Sequence, residues 1–295
     1  MRRPPSVPAP AASDTSDASA EEPRYVEGDA LCDALCDDLR DDLCDDLEVR
    51  TARRPNENID FPSDSAPALL RVGIPGDFIP FALRDAEGHV VGHDAELLAL
   101  LAEQAGFAGR VRLCTSTWKT LFSDLVSGRV DLVCGGVSVT PERCQAATAL
   151  PRYAPFWKTG LVRREDRERF AGVDLKAFDN ATLRVVKNPG GTNETWVDAN
   201  FAHARVRLHP VNEEIPGLIA AGEGDLMVTD VTEARWYAAR DERLAVLPQH
   251  FTPVEYKAFY VRRGFAGIDA LRRAWEALAA DGTLSELAHR WGIDA

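Results

Sequence analysis

The sequence predicts a mixed α/β protein of two lobes with a ligand cleft between them, preceded by a disordered acidic segment. Three observations carry this reading. From Leu70 onward, short apolar runs alternate with segments of helical spacing, the pattern of a mostly parallel sheet covered by helices. The phrase Ser127-Gly128-Arg129-Val130-Asp131-Leu132-Val133 is echoed by Ala221-Gly222-Glu223-Gly224-Asp225-Leu226-Met227-Val228, so a comparable α/β unit occurs twice. Residues 1–68 differ in composition from everything that follows.

That first segment is rich in Pro, Ser, Ala and Asp, and it lacks the apolar content to offset its ordering entropy. It holds 7 Arg, no Lys and 17 Asp plus Glu, a net charge of −10. The whole chain carries −13, which leaves −3 for residues 69–295. The acidity therefore belongs to the tail and says little about the ligand, and no nucleic-acid partner is expected. Leu31, Leu35, Leu39, Leu43 and Leu47 recur every four residues beside Cys32, Cys36 and Cys44. A low-complexity repeat explains this pattern better than a metal-binding or partner-binding helix, and no zinc-ribbon spacing occurs. No run of about 18 apolar residues suggests a membrane span. No apolar core of a secretory signal follows Met1-Arg2-Arg3.

In the remainder, Leu70 to Ile74 reads as a strand. Asp94 is expected to cap a helix running to Gly106, with Leu97, Leu98, Leu100 and Leu101 on its apolar face. Val111 to Thr115 is a second strand, and Trp118 to Ser127 a helix stopped by Gly128. Val130 to Cys134 is a buried strand running into Gly135-Gly136. Leu183 to Val186 is another, followed by Asn188-Pro189-Gly190-Gly191-Thr192-Asn193-Glu194 and a helix from Thr195. Lys257 to Val261 and two helices, Ile268 to Ala280 and Thr283 to Trp291, have no strand series of their own and are expected to return to the first lobe. The expected division is thus 69–157 plus 257–295 for the first lobe and 158–256 for the second.

Open α/β sheets bind ligands at the ends of their strands, and three places qualify, with Lys158 to be weighed beside them. The Asn188–Glu194 loop leads into a helix start, where free backbone N–H groups and the helix dipole favour a carboxylate or phosphate. Ser138, Thr140 and Arg143 offer two hydroxyls and a planar cationic fork, although Thr140 before Pro141 also reads as an ordinary helix cap. Asp230 and Glu233 are three residues apart, so both can face a cleft from a starting helix, and neighbouring carboxylates raise one another's pKa. Read alone, Glu233 is better explained as a surface residue paired with Arg235 or Arg240. Lys158 lies in an aromatic stretch, Tyr153-Ala154-Pro155-Phe156-Trp157, and is either a buried cation facing an anion or a side chain that snorkels to water.

Taken together, Gly92-His93-Asp94 with Glu96-Leu97, Trp118-Lys119-Thr120-Leu121, Gly136 to Thr140 with Glu142-Arg143, and Thr229-Asp230 resemble the amino-acid-binding periplasmic solute-binding proteins. Within them, the Asn188–Glu194 loop, Lys158 and Glu233 are most similar to the cyclohexadienyl dehydratases, which act on prephenate and arogenate. The resemblance implies a type II two-lobed fold over residues 69–293. It also implies a small-molecule substrate, no metal or organic cofactor, and a periplasmic location; with no visible signal, the cytoplasm is the alternative. The chain is compatible with self-association. The resemblance makes Glu233 the general acid, with Lys158 supporting it and Trp118 walling the ring. Arg143, Ser138, Thr140, Gly191 and Thr192 would hold carboxylates, Asn188 and Asn193 would hydrogen-bond the substrate, and Asp230 matches the position that meets an α-amino group. Phe78 stands where a Tyr is usual. A non-catalytic amino-acid-binding protein of an ABC transporter is the alternative reading.

Overall fold

The computed structural model of the chain describes residues 69–293 apart from 86, 171, 173 and 174. The expectations for residues 1–68 lie outside the described residues. Two five-stranded sheets organise the rest. In the first, the strand order is Val111–Thr115, Leu70–Ile74, Leu132–Val133, Tyr260–Val261, Thr148–Ala149. The first three strands are parallel, and Tyr260–Val261 runs antiparallel to both of its neighbours. The second sheet has the order Arg205–Leu208, Arg184–Lys187, Leu226–Asp230, Lys158–Arg163, Leu244–Val246. Its first three strands are again parallel, and Lys158–Arg163 is antiparallel to both of its neighbours. The type II two-lobed arrangement is thus present, each sheet repeating the topology of the other.

The repeated phrase in the sequence has a physical counterpart. Asp131 accepts hydrogen bonds from the Arg71 backbone N–H (3.2 Å), Nε (2.9 Å) and Nη2 (2.8 Å). Asp225 accepts the same three from Arg184, at 2.9, 3.0 and 2.6 Å. In each lobe a buried aspartate enters its strand by clamping an arginine at the start of the neighbouring strand. A bidentate guanidinium contact of this kind fixes register as well as adding energy.

The strands are apolar on both faces because both faces are covered. Val185, Leu226 and Val228 pack into one core with Phe170, Val197 and Phe201, whereas Val186, Met227 and Leu161 face Ile215 and Ile219. In the first sheet, Leu70, Val72 and Ile74 pack beneath the helices His93–Gln104 and Ile268–Ala280, which contribute Leu97, Leu101, Leu271 and Trp275.

The chain passes between the sheets twice, and the two passages pair: Glu255–Tyr256 runs antiparallel to Pro155–Phe156. Several boundaries differ from expectation. The first helix starts at His93 behind Gly92, and Asp94 does not cap it. The Asp94 carboxylate instead accepts the Gly135 and Gly136 N–H groups, both at 2.8 Å, and the Tyr153 hydroxyl at 2.7 Å. Expected strand Val130–Cys134 is reduced to Leu132–Val133, and the helix after Trp118 begins only at Leu121.

Candidate functional site

A pocket lies where the parallel strands of the two sheets end. One wall comes from the first sheet's side: Phe78, Trp118, Gly136, Ser138, Arg143 and Lys257. The other is the glycine loop and its helix, Asn188 and Gly190 to Asn193, together with Asp230 at the end of Leu226–Asp230. The helix begins at Gly191, four residues earlier than expected, so its N-terminus opens directly on the pocket. Glu194 stays out of the pocket and accepts the Gly190 N–H at 2.5 Å, holding the turn.

Two glycines are demanded by this closeness. Gly190 has φ +80, and a Cβ there would lie 2.9 Å from Trp118 Cβ on the opposite wall. Gly136 has φ +79, and a Cβ there would sit 2.6 Å from the Phe78 ring. Any other residue is strained at both positions and also collides.

Asp230 is the electrostatic centre. It is 1 % exposed, and both carboxylate oxygens are already engaged by ammonium groups. Lys158 Nζ donates to Oδ1 at 3.2 Å and Lys257 Nζ donates to Oδ2 at 2.5 Å. Burial works to raise the Asp230 pKa, but the two lysines outweigh it and hold the group below its ordinary value. Lys257 is buried; desolvation draws its pKa down against the pull of Asp230. It also donates to Ser138 Oγ at 3.0 Å and lies 3.8 Å from the centre of the Phe156 ring. Lys158 donates to Thr192 Oγ1 at 3.0 Å and to Asn193 Oδ1 at 2.5 Å. Arg143 donates to the Ser138 carbonyl at 2.9 Å and lies over the Phe122 ring. Two ammonium groups therefore contact one ionised carboxylate, Arg143 adds a third positive charge to the same pocket, and the surplus suits an anionic ligand.

Behind Asp230 lies Glu233, fully buried. Its carboxyl is hydrogen-bonded to the Thr229 hydroxyl through Oε2 and to Asn212 Nδ2 through Oε1, the latter at 2.7 Å. Burial pushes its pKa to about 8, with nearby Asp230 and Asp77 adding to the rise and the two hydrogen bonds opposing it. At neutral pH this carboxyl retains its proton. The surface pairing with Arg235 or Arg240 is excluded by burial. Asp77, whose pKa burial raises to about 6, accepts the Trp118 indole N–H at 2.8 Å.

Of the residues expected from the sequence, Trp118, Ser138, Arg143, Asn188, Gly191, Thr192, Asn193 and Asp230 line this pocket. Lys158 and Glu233 lie one layer behind it, connected to it through Asn193, Asp230 and Thr229. Thr140 is not part of the lining: its hydroxyl accepts the Arg143 N–H at 3.3 Å and caps the helix Pro141–Ala146. Lys257 and Asn212 were not anticipated. Lys257 carried the same signal as Lys158, a lone lysine in an apolar run, Ala258-Phe259-Tyr260-Val261. Nothing in Pro210-Val211-Asn212-Glu213-Glu214 distinguishes Asn212 from a turn residue.

Among the described residues, Asp85, Glu87 and His89 bring three potential metal-ligand atoms within 4.8 Å of one another, on a turn outside this pocket. No helix of the described residues is long and apolar enough to cross a membrane.

Residues 70–294 match the model of the bacterial extracellular solute-binding proteins, family 3. The cyclohexadienyl dehydratase of Pseudomonas aeruginosa is 34% identical over 196 residues, covering 66% of this chain and 72% of that protein. The L-cystine-binding protein TcyJ of Escherichia coli K12 is 25% identical over 227 residues, covering 75% of this chain and 82% of its own. Among solved structures, the ancestral amino acid-binding protein AncCDT-1, described as a precursor of cyclohexadienyl dehydratase, superposes with a TM-score of 0.67. It is 26% identical and covers 76% of this chain and 95% of its own.

Proposed function

We propose that this chain, which belongs to the bacterial extracellular solute-binding proteins of family 3, uses its cleft to catalyse a reaction: the decarboxylating dehydration of prephenate, arogenate or both. The observation that carries this reading is the state of Asp230. A binder of α-amino acids needs a carboxylate whose charge is free to meet the ammonium group, and here two ammonium groups, Lys158 and Lys257, already offset the charge of Asp230. The surplus of Arg143 and the two lysines favours a ligand with more than one carboxylate. A proton donor stands in the same cluster. The similarity to the Pseudomonas aeruginosa dehydratase supports the same conclusion, and the resemblance to amino-acid-binding relatives supports the fold equally well without the chemistry.

In the proposed reaction, Arg143, Ser138, Lys257 and the N-terminus of the helix Gly191–Asn200 grip the substrate carboxylates, with the Trp118 ring against the six-membered ring. The bond between the ring and its carboxylate breaks, and carbon dioxide leaves. The released electron pair passes through the diene and expels the hydroxyl on the opposite ring carbon. Glu233, one layer behind the pocket wall, gives that hydroxyl its proton when closure of the cleft brings the two together, so that water departs, and the carboxylate formed is reprotonated from solvent. Aromatisation supplies much of the driving force, so one positioned acid of suitable pKa is an adequate apparatus. Lys158 holds Asn193 and Asp230 in place and stabilises the carboxylate that Glu233 becomes. Periplasmic residence, typical of the family, is part of this proposal.

The test is incubation of the purified protein with prephenate and with arogenate, following phenylpyruvate by its absorbance in alkali and phenylalanine by chromatography. Turnover of either substrate is expected. No product from both, together with tight binding of an α-amino acid, overturns the reading in favour of a transport binder.

A further inference from the structure

Asn212 is 1 % exposed and opens a short turn, Asn212–Glu214, on the second lobe. Its side-chain nitrogen donates twice: to Glu233 Oε1 at 2.7 Å, and to the Asp77 carbonyl at 2.9 Å. Asp77 belongs to the other lobe; its strand Asp77–Phe78 pairs with Ala82–Arg84, and Phe78 packs with Phe81, Ala154 and Ile293. The Asn212 side-chain oxygen is buried and has no hydrogen-bond partner. An asparagine serving only to satisfy a buried network would engage both ends of its amide. This one is oriented entirely by its donor side.

We infer that Asn212 is a positioning residue for the acid, fastening the Glu233 carboxyl to the backbone of the opposite lobe so that the acid is aligned when the cleft is closed over substrate. The inference rests on the dehydratase reading above. It gives closure a chemical meaning: one amide nitrogen senses the Asp77 carbonyl and the Glu233 carboxyl together. Substrate that draws the lobes together completes the set of contacts that aims the proton, which is how lobe or lid motions assemble many active sites.

The charged and titratable groups facing Glu233 come from several elements. Asp230 stands at the strand end, Asp77 on the opposite lobe, Glu213 beside Asn212, and Tyr237 one turn along the same helix. Lys158 and Lys257 lie beyond Asp230. Against that background the Asn212 donor favours the ionised carboxyl, so its removal makes Glu233 hold its proton to higher pH.

The experiment measures kcat and KM, for whichever of prephenate and arogenate the wild type turns over, from pH 5 to 10 on the wild type, Asn212→Leu and Asn212→Ser. The serine variant, too short to span both acceptors, serves if the leucine variant does not fold, and thermal melts confirm folding. A loss of roughly 10- to 100-fold in kcat is expected, as for a misplaced general acid. KM should rise by less than about 10-fold, the share of one hydrogen bond between lobes. The alkaline limb of the kcat profile should move to higher pH in the variants. A kcat that does not fall, or one that falls while the alkaline limb stays where it is, overturns the inference and leaves the dehydratase reading standing. A wild type that turns over neither prephenate nor arogenate overturns both.

Discussion

Replacing Glu233 with glutamine should destroy activity and stabilise the fold, and the stabilisation should depend on pH in a calculable way. The carboxyl has an ordinary pKa of 4.5 and is held at about 8 in the folded state, chiefly by burial. Its folded pKa is raised, so the group favours the folded state most below the unfolded value. That advantage declines as pH rises from 4.5 towards 8 and is flat above. At pH 7 the difference of 2.5 pH units from 4.5, at about 1.36 kcal/mol each, makes the wild-type carboxyl cost about 3 kcal/mol relative to acid conditions. Glutamine keeps the shape: its carbonyl can accept from Asn212 and its amide can donate to Thr229, without a charge to neutralise. Denaturant unfolding of both proteins at pH 5 and pH 8 measures the difference. The variant should be more stable by about 4 kcal/mol at pH 8, with the gap shrinking to about 1 kcal/mol at pH 5, while turnover falls by about 100-fold or more. A gap that does not change with pH would refute the burial argument, and wild-type turnover would remove Glu233 from the proton's path.

Other substitutions probe the rest of the site. Lys257→Met removes one of the two ammonium groups on Asp230, so KM for a dicarboxylate should rise at least about 10-fold. Calorimetry on the same variant should detect new binding of an α-amino acid to the freed oxygen; no change in either quantity contradicts the role given to Lys257. Gly190→Ala forces a Cβ to within 2.9 Å of Trp118 Cβ at φ +80, and kcat/KM should drop by about 10-fold or more. Thermal unfolding should fall only slightly, since the clash is between the walls of the cleft rather than within a core. Asp225→Ala strips Arg184 of its register-fixing partner and should cost about 2 kcal/mol in denaturant titration, with per-molecule activity in the folded protein little changed.

The two-lobed architecture was legible because its cause is local and repeated. Asp131 and Asp225 recur in the same short phrase, and each binds the arginine at the start of the strand beside it, so the echo in sequence is an echo in hydrogen bonding. The glycine loop was legible for a similar reason, since Gly190 needs φ +80 where helix and strand meet. What escaped notice depends on distant partners. Asp94 reads as a helix cap by position, yet its acceptors are satisfied by Gly135 and Gly136, far along the chain. Lys257 meets Ser138 and Asp230 only after the chain has returned from the second lobe, and Asn212 meets Asp77 across the cleft. Thr140 was ambiguous between a cap and a ligand, and the Arg143 N–H decides for the cap.

The return of the chain to the first sheet has a consequence for how the molecule is made. Every strand of the second sheet lies between Lys158 and Val246, an unbroken stretch. The first sheet is interrupted: Tyr260–Val261, seated between Leu132–Val133 and Thr148–Ala149, is synthesised after the whole of the second. During vectorial synthesis the later lobe can close its sheet while the earlier one still waits with a gap between two of its strands. Pairing across so long a loop is slow to form, and the open edges are exposed meanwhile. The nascent first lobe is therefore the part that a chaperone has most reason to hold, and the two helices that follow Tyr260–Val261, Ile268–Ala280 and Thr283–Trp291, are the ones that seal it.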